Sequence, residues 1–208
     1  MHQYRQRKTP PPAPSPNNSY WQRILMLLEN IFSFLLKIIN QIKSLAKKKS
    51  PPVLIVSLFG IGYLPVFPGT WASLATLAVC AILVPILPVS LFIINIFFIF
   101  FLGTTLLVIL FYKSPDMSSD PSYVVVDEVV GQMIALLPVL HNISYWPIAL
   151  LSFRFFDIKK PLLVSWPELN LHGTPISSAL SIMLDDVLAG VYAAGLTYIS
   201  FMVIESIF

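Results

Sequence analysis

From residue 51 onward the chain alternates apolar stretches with four polar clusters, at 60–73, 113–128, 154–161 and 172–186. Residues 71–87 and 89–112 are apolar and parted by a break at Pro85 to Ser90. A membrane crossing takes roughly 20 residues of helix, so these two stretches predict a hairpin that crosses and returns. Residues 129–153 are apolar with a break at Pro138 to Pro147. Each limb is only about a dozen residues, short of a full span, which predicts a buried or half-inserted helical hairpin. Residues 187–208 are apolar apart from Glu205 and predict one more crossing. Upstream, residues 21–45 divide at helical period. Gln22, Glu29, Ser33, Lys37 and Asn40 fall on one face, and Ile24, Leu28, Ile31, Leu35 and Ile38 on the other. Followed by Lys47, Lys48 and Lys49, such a helix suits a membrane interface, with packing on the rest of the protein as the alternative. It makes a poor signal peptide, since Glu29 and Asn30 interrupt the apolar run and no small-residue cleavage site follows. Residues 1–20, with five prolines from Pro10 to Pro16 among polar residues, predict an unstructured tail.

The expected architecture is therefore all-α: a membrane-embedded helical bundle over 51–208, preceded by an amphipathic basic helix over 21–50. Hairpins return the chain to the side it left, so the four polar clusters share one side. Charge agrees, because Lys113, Arg154, Lys159, Lys160 and the triple lysine lie on that side while the two breaks hold no Lys or Arg. By the positive-inside rule that side is cytoplasmic. Composition narrows the class. Only 11% of residues are charged, against about 25% in an average soluble domain, too few to clothe a water-soluble surface. A single cysteine excludes an internal disulfide framework and a Cys-rich zinc site. The net charge of +3 hides an asymmetry: nine Lys/Arg and one acid before residue 50, four Lys/Arg and nine acids after it. A basic arm precedes an acidic apolar body, and no stretch resembles a nucleic-acid-binding face.

Six of the nine body acids are Asp120, Asp127, Glu128, Asp157, Asp185 and Asp186, and four of these form two adjacent pairs flanked by apolar helix. Carboxylates buried there cost several kcal/mol apiece unless compensated. A hard divalent cation such as Mg²⁺ is the natural compensator, because it takes oxygen ligands and keeps waters that a phosphate can displace. Neighbours on a helix point about 100° apart, so one member of each pair suits the metal and the other a positioning role or a cation. An ion-pair network with Arg154, Lys159 and Lys160 is the structural alternative. Arg154, Asp157 and Lys160 lie three apart, on one helical face, where guanidinium and ammonium suit phosphate oxygens. Pro161 should end that helix. The loop from Gly60 to Ser73 is rich in turn formers, with Thr70 as a cap before the next helix and glycines that suit close backbone approach to a ligand. It lacks the lysine and spacing of a P-loop. Cys80 reads as core, His141 falls in a break on the far side, and His172 has no second histidine at ligand spacing. Nothing supports cysteine- or histidine-based phosphate chemistry.

Together these clusters resemble the bacterial phosphatidylglycerophosphatase A family, over about 53–200. The family's loop G-x-G-x-x-P-x-x-P-G-T-x-x-S is met by Gly60, Gly62, Pro65, Pro68, Gly69, Thr70 and Ser73. Its D-P-x-x-V-V-x-D-E-x-x-G stretch is met by Asp120, Pro121, Val124, Val125, Asp127, Glu128 and Gly131. A run from Phe153 to Pro161 and the I-M-L-D-D-x-x-A-G ending from Ile182 to Gly190 complete the set. One departure is the turn before Ile182, which runs His172 to Ser181 with one glycine where the family has a compact glycine-rich turn. The resemblance implies Mg²⁺-dependent removal of the phosphomonoester from phosphatidylglycerophosphate at the cytoplasmic face of a bacterial inner membrane. Asp127, Glu128, Asp157 and Asp186 would be catalytic and, with Asp185, hold one or two Mg²⁺. Arg154, Lys160, Gly69 and Thr70 would bind substrate, and Asp120 would orient a ligand. A metal-activated water and an aspartyl-phosphate intermediate both remain open. The competing classes are a non-enzymatic membrane protein that uses its buried acids for cation passage or assembly, and a lipid phosphatase of shifted substrate.

Overall fold

Proline starts most of the helices, where its missing N–H would lack a partner anyway. Pro51, Pro68, Pro147, Pro167 and Pro175 each sit in a first turn. The structure, a computed structural model, describes residues 50–114, 121–161, 163–171 and 173–207, with single positions Gln22, Leu25, Met26, Glu29 and Ser33. Those five positions are helical and exposed. The tail over 1–20, most of the amphipathic helix, Asp120 and His172 lie outside the described residues. The chain divides into a unit over 1–41 and a unit over 42–208, and the second carries the architecture below.

Its helices are α1 (Pro51–Val56), α2 (Pro68–Leu83), α3 (Val89–Lys113), α4 (Val126–Leu136), α5 (Trp146–Lys159), α6 (Trp166–Asn170) and α7 (Pro175–Ile207). Short 3-10 turns occupy Leu58–Tyr63, Leu137–Val139 and Ile143–Tyr145, and the described residues contain no strand. Both expected hairpins are present, α2–α3 and α4–α5. Two boundaries differ from expectation. Helix α2 starts at Pro68, capped by Phe67 in a left-handed conformation (φ 49°), so Thr70 lies inside the first turn and is not the cap. Helix α7 starts at Pro175, well upstream of the expected crossing at 187. Thr174 and Ser177 cap it reciprocally: the Thr174 N–H donates to Ser177 Oγ at 3.0 Å and the Ser177 N–H to Thr174 Oγ1 at 3.1 Å. That reciprocal capping makes a helix start out of a stretch whose composition reads as loop. Helix α5 ends as expected, with Lys160 left-handed (φ 41°) before Pro161.

Helix α4 is the core, packed against α2, α3, α5 and α7. Its backbone meets that of α7 at two glycines. A Cβ on Gly190 would come within 2.5 Å of the Gly131 carbonyl oxygen, and one on Gly131 would strike the Phe153 ring and the Asp186 carbonyl. Only glycine permits that approach, which sets the first turn of α4 beside the Asp185–Asp186 turn of α7. Helices α3 and α7, with mean hydropathies of 2.7 and 1.9, are long and apolar enough to cross a membrane. They keep most of their apolar surface outside the core: Phe97, Phe98 and Phe101 on α3, and Ile199, Met202 and Val203 on α7, are exposed. The protein is an all-α, membrane-associated bundle. Helices α4 and α5 run only about 17 and 21 Å at 1.5 Å per residue, so their hairpin stops short of a span. The Tyr145 hydroxyl at its turn donates to Glu205 at 2.8 Å, tying that turn to the distant end of α7. The opposite end gathers the starts of α2, α4 and α7 and the end of α5.

Candidate active site

At that end a cleft of about 460 Å³ opens among five elements. Phe67, Pro68 and Gly69 come from the start of α2, and Asp127 and Glu128 from the first turn of α4. The end of α5 supplies Arg154, Asp157 and Lys160. Glu168 on α6 and Leu171 just after it form the rim, and α7 contributes Ser178, Ser181, Ile182, Asp185 and Asp186. The extended segment before α4 closes the wall with Ser122, Val124 and Val125. This segment is held in place by local fits. The Val125 N–H donates to the Val56 carbonyl at 2.9 Å, and Tyr123 stacks on Tyr63 at 5.2 Å. Gly62 lies against the Tyr123 carbonyl so closely that no Cβ would fit.

The inner half of the cleft is built around Arg154, whose side chain is 15% exposed. Its guanidinium pairs with Glu128 and, at 2.6 Å, with Asp157 one helical turn on. Burial would lower the Arg154 pKa, but Glu128 and Asp157 outweigh it and raise it. Asp186, 4% exposed, faces the same group, within hydrogen-bonding reach of Asp157 and close to Glu128 and Asp127. Three carboxyls thus surround one guanidinium, with Asp127 beside Asp186, and two carboxyls that face each other need a proton or a cation between them. Asp127 and Glu128 sit at the start of α4, where the helix dipole favours negative charge. Arg154 Nε is buried without a hydrogen-bond partner. Such a donor is rarely left unmet in a native interior, and a phosphate oxygen would satisfy it.

The outer half is built around Lys160. Its Nζ reaches Glu168 Oε2 at 2.9 Å and Asp185 Oδ2 at 3.0 Å. Burial pulls the Lys160 pKa down, but these two carboxylates raise it overall and keep the ammonium charged. Asp185 and Asp186 therefore part company as helical neighbours must, one towards Lys160 and the other towards Arg154 and its acids. The other oxygen of Asp185, Oδ1, is buried without a hydrogen-bond partner.

Of the residues singled out in the sequence, Asp127, Glu128, Arg154, Asp157, Lys160, Asp185, Asp186 and Gly69 meet in this cleft. Thr70 does not line it. The close approach at Gly69 is to a side chain: a Cβ there would collide with the Glu128 carboxylate and stand 2.8 Å from Arg154 Nη1. Lys160 reaches the cleft from a left-handed residue just past the helix, not from the shared helical face that its spacing suggested. Lys159 is exposed and does not line the cleft, Cys80 is buried in α2, and His141 is exposed at the opposite end. Sequence reasoning passed over Glu168, Ser178 and Ser181. The spacing of Ser178, Ser181 and Asp185 is that of one helical face, a signal hidden because the stretch reads as loop.

The donor chemistry of the inner half fits a hard divalent cation: every donor is oxygen and acids outnumber bases. Among the described residues no group of three acids, histidines or cysteines closes into a cage as it stands. Arg154 takes up Glu128 and Asp157 between them.

A family model described as phosphatidylglycerophosphatase A matches residues 54–201. An Escherichia coli protein named phosphatidylglycerophosphatase A is 34% identical over 161 residues, covering 75% of this chain and 87% of the relative. A Haemophilus influenzae protein of the same name is 36% identical over 146 residues, covering 69% and 85%. A Bacteroides thetaiotaomicron protein, whose name provisionally assigns it as a phosphatidylinositol-3-phosphatase, is 39% identical over 154 residues, covering 68% and 88%. No solved structure matches the chain at a significant level.

Proposed function

The chain belongs to the phosphatidylglycerophosphatase A family, and from that premise we propose a Mg²⁺-dependent phosphatase that converts phosphatidylglycerophosphate to phosphatidylglycerol and inorganic phosphate. Its setting is phospholipid biosynthesis, at the cytoplasmic face of a bacterial inner membrane. One observation carries the reading: the matched span, 54–201, contains every residue of the cleft, with its carboxyls, guanidinium and ammonium. The orientation rests on charge, since Lys113, Arg154, Lys159 and Lys160 all belong to the cleft side of the hairpins.

The reaction displaces a glycerol oxygen from phosphorus by water. Arg154 would bind the phosphate, a role supported by its planar donor set and an unmet Nε. Glu128 and Asp157 fix the guanidinium in that orientation, and Gly69 leaves the room that the Glu128–Arg154 pair occupies. Asp127, Glu128, Asp157 and Asp186 are the residues that would hold Mg²⁺. Asp185, with Oδ2 committed to Lys160, falls outside that set. When bound, the ion would offset phosphate charge and make a nucleophile of its water. The inner side chains are mostly buried, which strengthens each of these interactions.

The Bacteroides relative brings phosphatidylinositol 3-phosphate in as a second substrate. The two lipids share more than a phosphomonoester. Each also carries a phosphodiester, and the two phosphates sit on carbons separated by one hydroxyl-bearing carbon. Phosphate release from phosphatidylglycerophosphate in mixed micelles by the purified protein with Mg²⁺ tests the reading. Steady release that stops on chelation supports it; no release overturns it.

A further inference from the structure

Among the described residues two basic side chains face the cleft, Arg154 and Lys160, and only Arg154 is engaged in the proposed reaction at phosphorus. Arg154 lies in the inner half among carboxyls that are themselves at most 15% exposed. Lys160 lies six residues on, about 9 Å along the helix direction, with a side chain 32% exposed and a partner, Glu168, that is 58% exposed. The two ends differ in what holds them. An ion pair with an exposed carboxylate contributes little and yields readily to another anion, so Glu168 is a replaceable partner. Asp185 is not replaceable in the same way: it is buried, and it keeps Lys160 aimed into the cleft. Its second oxygen, Oδ1, is an unmet acceptor in a residue more than nine-tenths buried, on the α7 turn between the Asp186 level and Ser181. A volume of about 460 Å³ is in the range that encloses a whole polar headgroup, far more than a single phosphate fills.

We infer that the cleft recognises a two-phosphate headgroup, with the phosphomonoester at Arg154, the phosphodiester at Lys160 in place of Glu168, and the intervening hydroxyl donating to Asp185 Oδ1. Lys160 and Asp185 are then specificity-determining residues. The substrate class is a phospholipid whose phosphodiester and phosphomonoester stand on carbons in 1,3 relation, with a hydroxyl on the carbon between them. The inference rests on the phosphatase reading and adds to it the reason one cleft would accept both glycerol and inositol headgroups. Ser178 and Ser181, continuing outward from Asp185 on the same face of α7, present hydroxyls to the rest of the polyol.

The test is steady-state kinetics of the purified full chain on four lipids in micelles of one composition. Phosphatidylglycerophosphate and phosphatidylinositol 3-phosphate have the 1,3 arrangement. Phosphatidylinositol 4-phosphate places its phosphates in 1,4 relation, and phosphatidic acid has a phosphomonoester with no phosphodiester. The wild type should show a KM at least about tenfold lower for a 1,3 lipid than for the other two, as a charge-assisted contact requires. Lys160→Gln should raise that KM about tenfold or more with kcat within about threefold, leave the phosphatidic acid KM in place, and be partly rescued by Lys160→Arg. Glu168→Gln, an exposed change that folding tolerates, should lower the KM for the 1,3 lipid. Equal KM values across the four lipids, a Lys160→Gln loss in kcat shared by all of them, or a KM unmoved by Glu168→Gln would each overturn the inference while leaving the phosphatase intact. A wild type that releases phosphate from none of them would overturn the phosphatase reading and this inference with it.

Discussion

Helices α2–α3 and α4–α5 are both hairpins that leave the cleft end of the molecule and return to it, yet their surfaces are opposite in character. The α2–α3 hairpin turns Leu74, Val79 and Ile82 on one arm and Phe97, Phe98 and Phe101 on the other away from the core, and from Pro68 to Lys113 it carries no acid. The α4–α5 hairpin is shorter and buried through Val130, Gly131, Met133, Leu136, Ala149 and Phe153. It nevertheless holds Asp127, Glu128, Arg154 and Asp157 at its open end. Length decides what each can carry. A hairpin that spans the membrane must be apolar along its whole outer surface, because a charge at mid-depth costs about 3 kcal/mol or more. A shorter hairpin packed against longer helices keeps its charged side chains on the face turned towards them, while Phe155 and Ile158 on its other face stay exposed. It can bring acids from α4, α5 and α7 together under a polar opening, where Arg154 and Lys160 compensate them.

The largest effect should come from the open end of the short hairpin and its α7 partner. Asp186→Asn keeps the shape and removes the carboxyl at the centre of the acidic group. Turnover of phosphatidylglycerophosphate should fall about 10³-fold or more, as expected for a group acting on the reacting phosphate. Asp127→Asn should behave similarly, whereas chelation should abolish phosphate release from the wild type. An Asp186→Asn enzyme with turnover near wild type would remove that residue from the reaction. Next in size is the point at which the long hairpin presses on the Glu128–Arg154 pair. Gly69→Ala places a methyl group on the Glu128 carboxylate beside Arg154, so kcat should fall about 100-fold with little change in thermal stability. Undiminished turnover would mean that the Glu128–Arg154 pair does not orient the phosphate.

The contrast between the hairpins was legible in the sequence, because the lengths of the apolar stretches and their breaks mark them: 85–90 for one and 138–147 for the other. The clustering of acids was legible too, since charge inside apolar helix is an anomaly that demands a partner. What escaped were features made by local geometry and tertiary contact. Phe67 in a left-handed conformation moves the start of α2 upstream of Thr70, and no residue type announces that. A proline with serines and a threonine around it reads as loop, yet Thr174 and Ser177 bond to each other across the first turn and extend α7 upstream through Ser178 and Ser181. Glu168 is an exposed acid on a five-residue helix, too short for any period, and only the approach of Lys160 gives it a place. The role of Gly69 depends on a side chain 59 positions away, which no reading of neighbours supplies.

A smaller effect distinguishes glycines that join the hairpins to α7 from one that joins nothing. Gly131 and Gly190 meet backbone to backbone, so Gly190→Ala must push α4 and α7 apart. Overpacking of this kind costs about 1–3 kcal/mol, read as a lowered unfolding midpoint in detergent, and it should lower turnover by moving Asp186 away from Asp127. Gly195, one turn and a residue further along the same helix, has nothing within 4 Å of a built Cβ. Gly195→Ala should leave the midpoint unchanged or raise it, since alanine is the better helix former.

The smallest effect belongs to the outward face of the longer hairpin. Phe98 on α3 is 61% exposed and takes no part in the core, so in detergent it would meet apolar chains. Phe98→Leu exchanges one apolar surface for another against an apolar solvent, and the unfolding midpoint should stay within the roughly 0.5 kcal/mol expected of an uninvolved position. Phe153 on α5 makes the matched case. It is fully buried and its ring fills the space beside Gly131, so Phe153→Leu leaves a cavity at the junction that positions Arg154. Equal midpoints for the two leucine variants would mean that the short hairpin is no more enclosed than the long one. The half-depth hairpin would then lose its claim to hold the acids by burial, and the cleft would have to be explained by its charges alone.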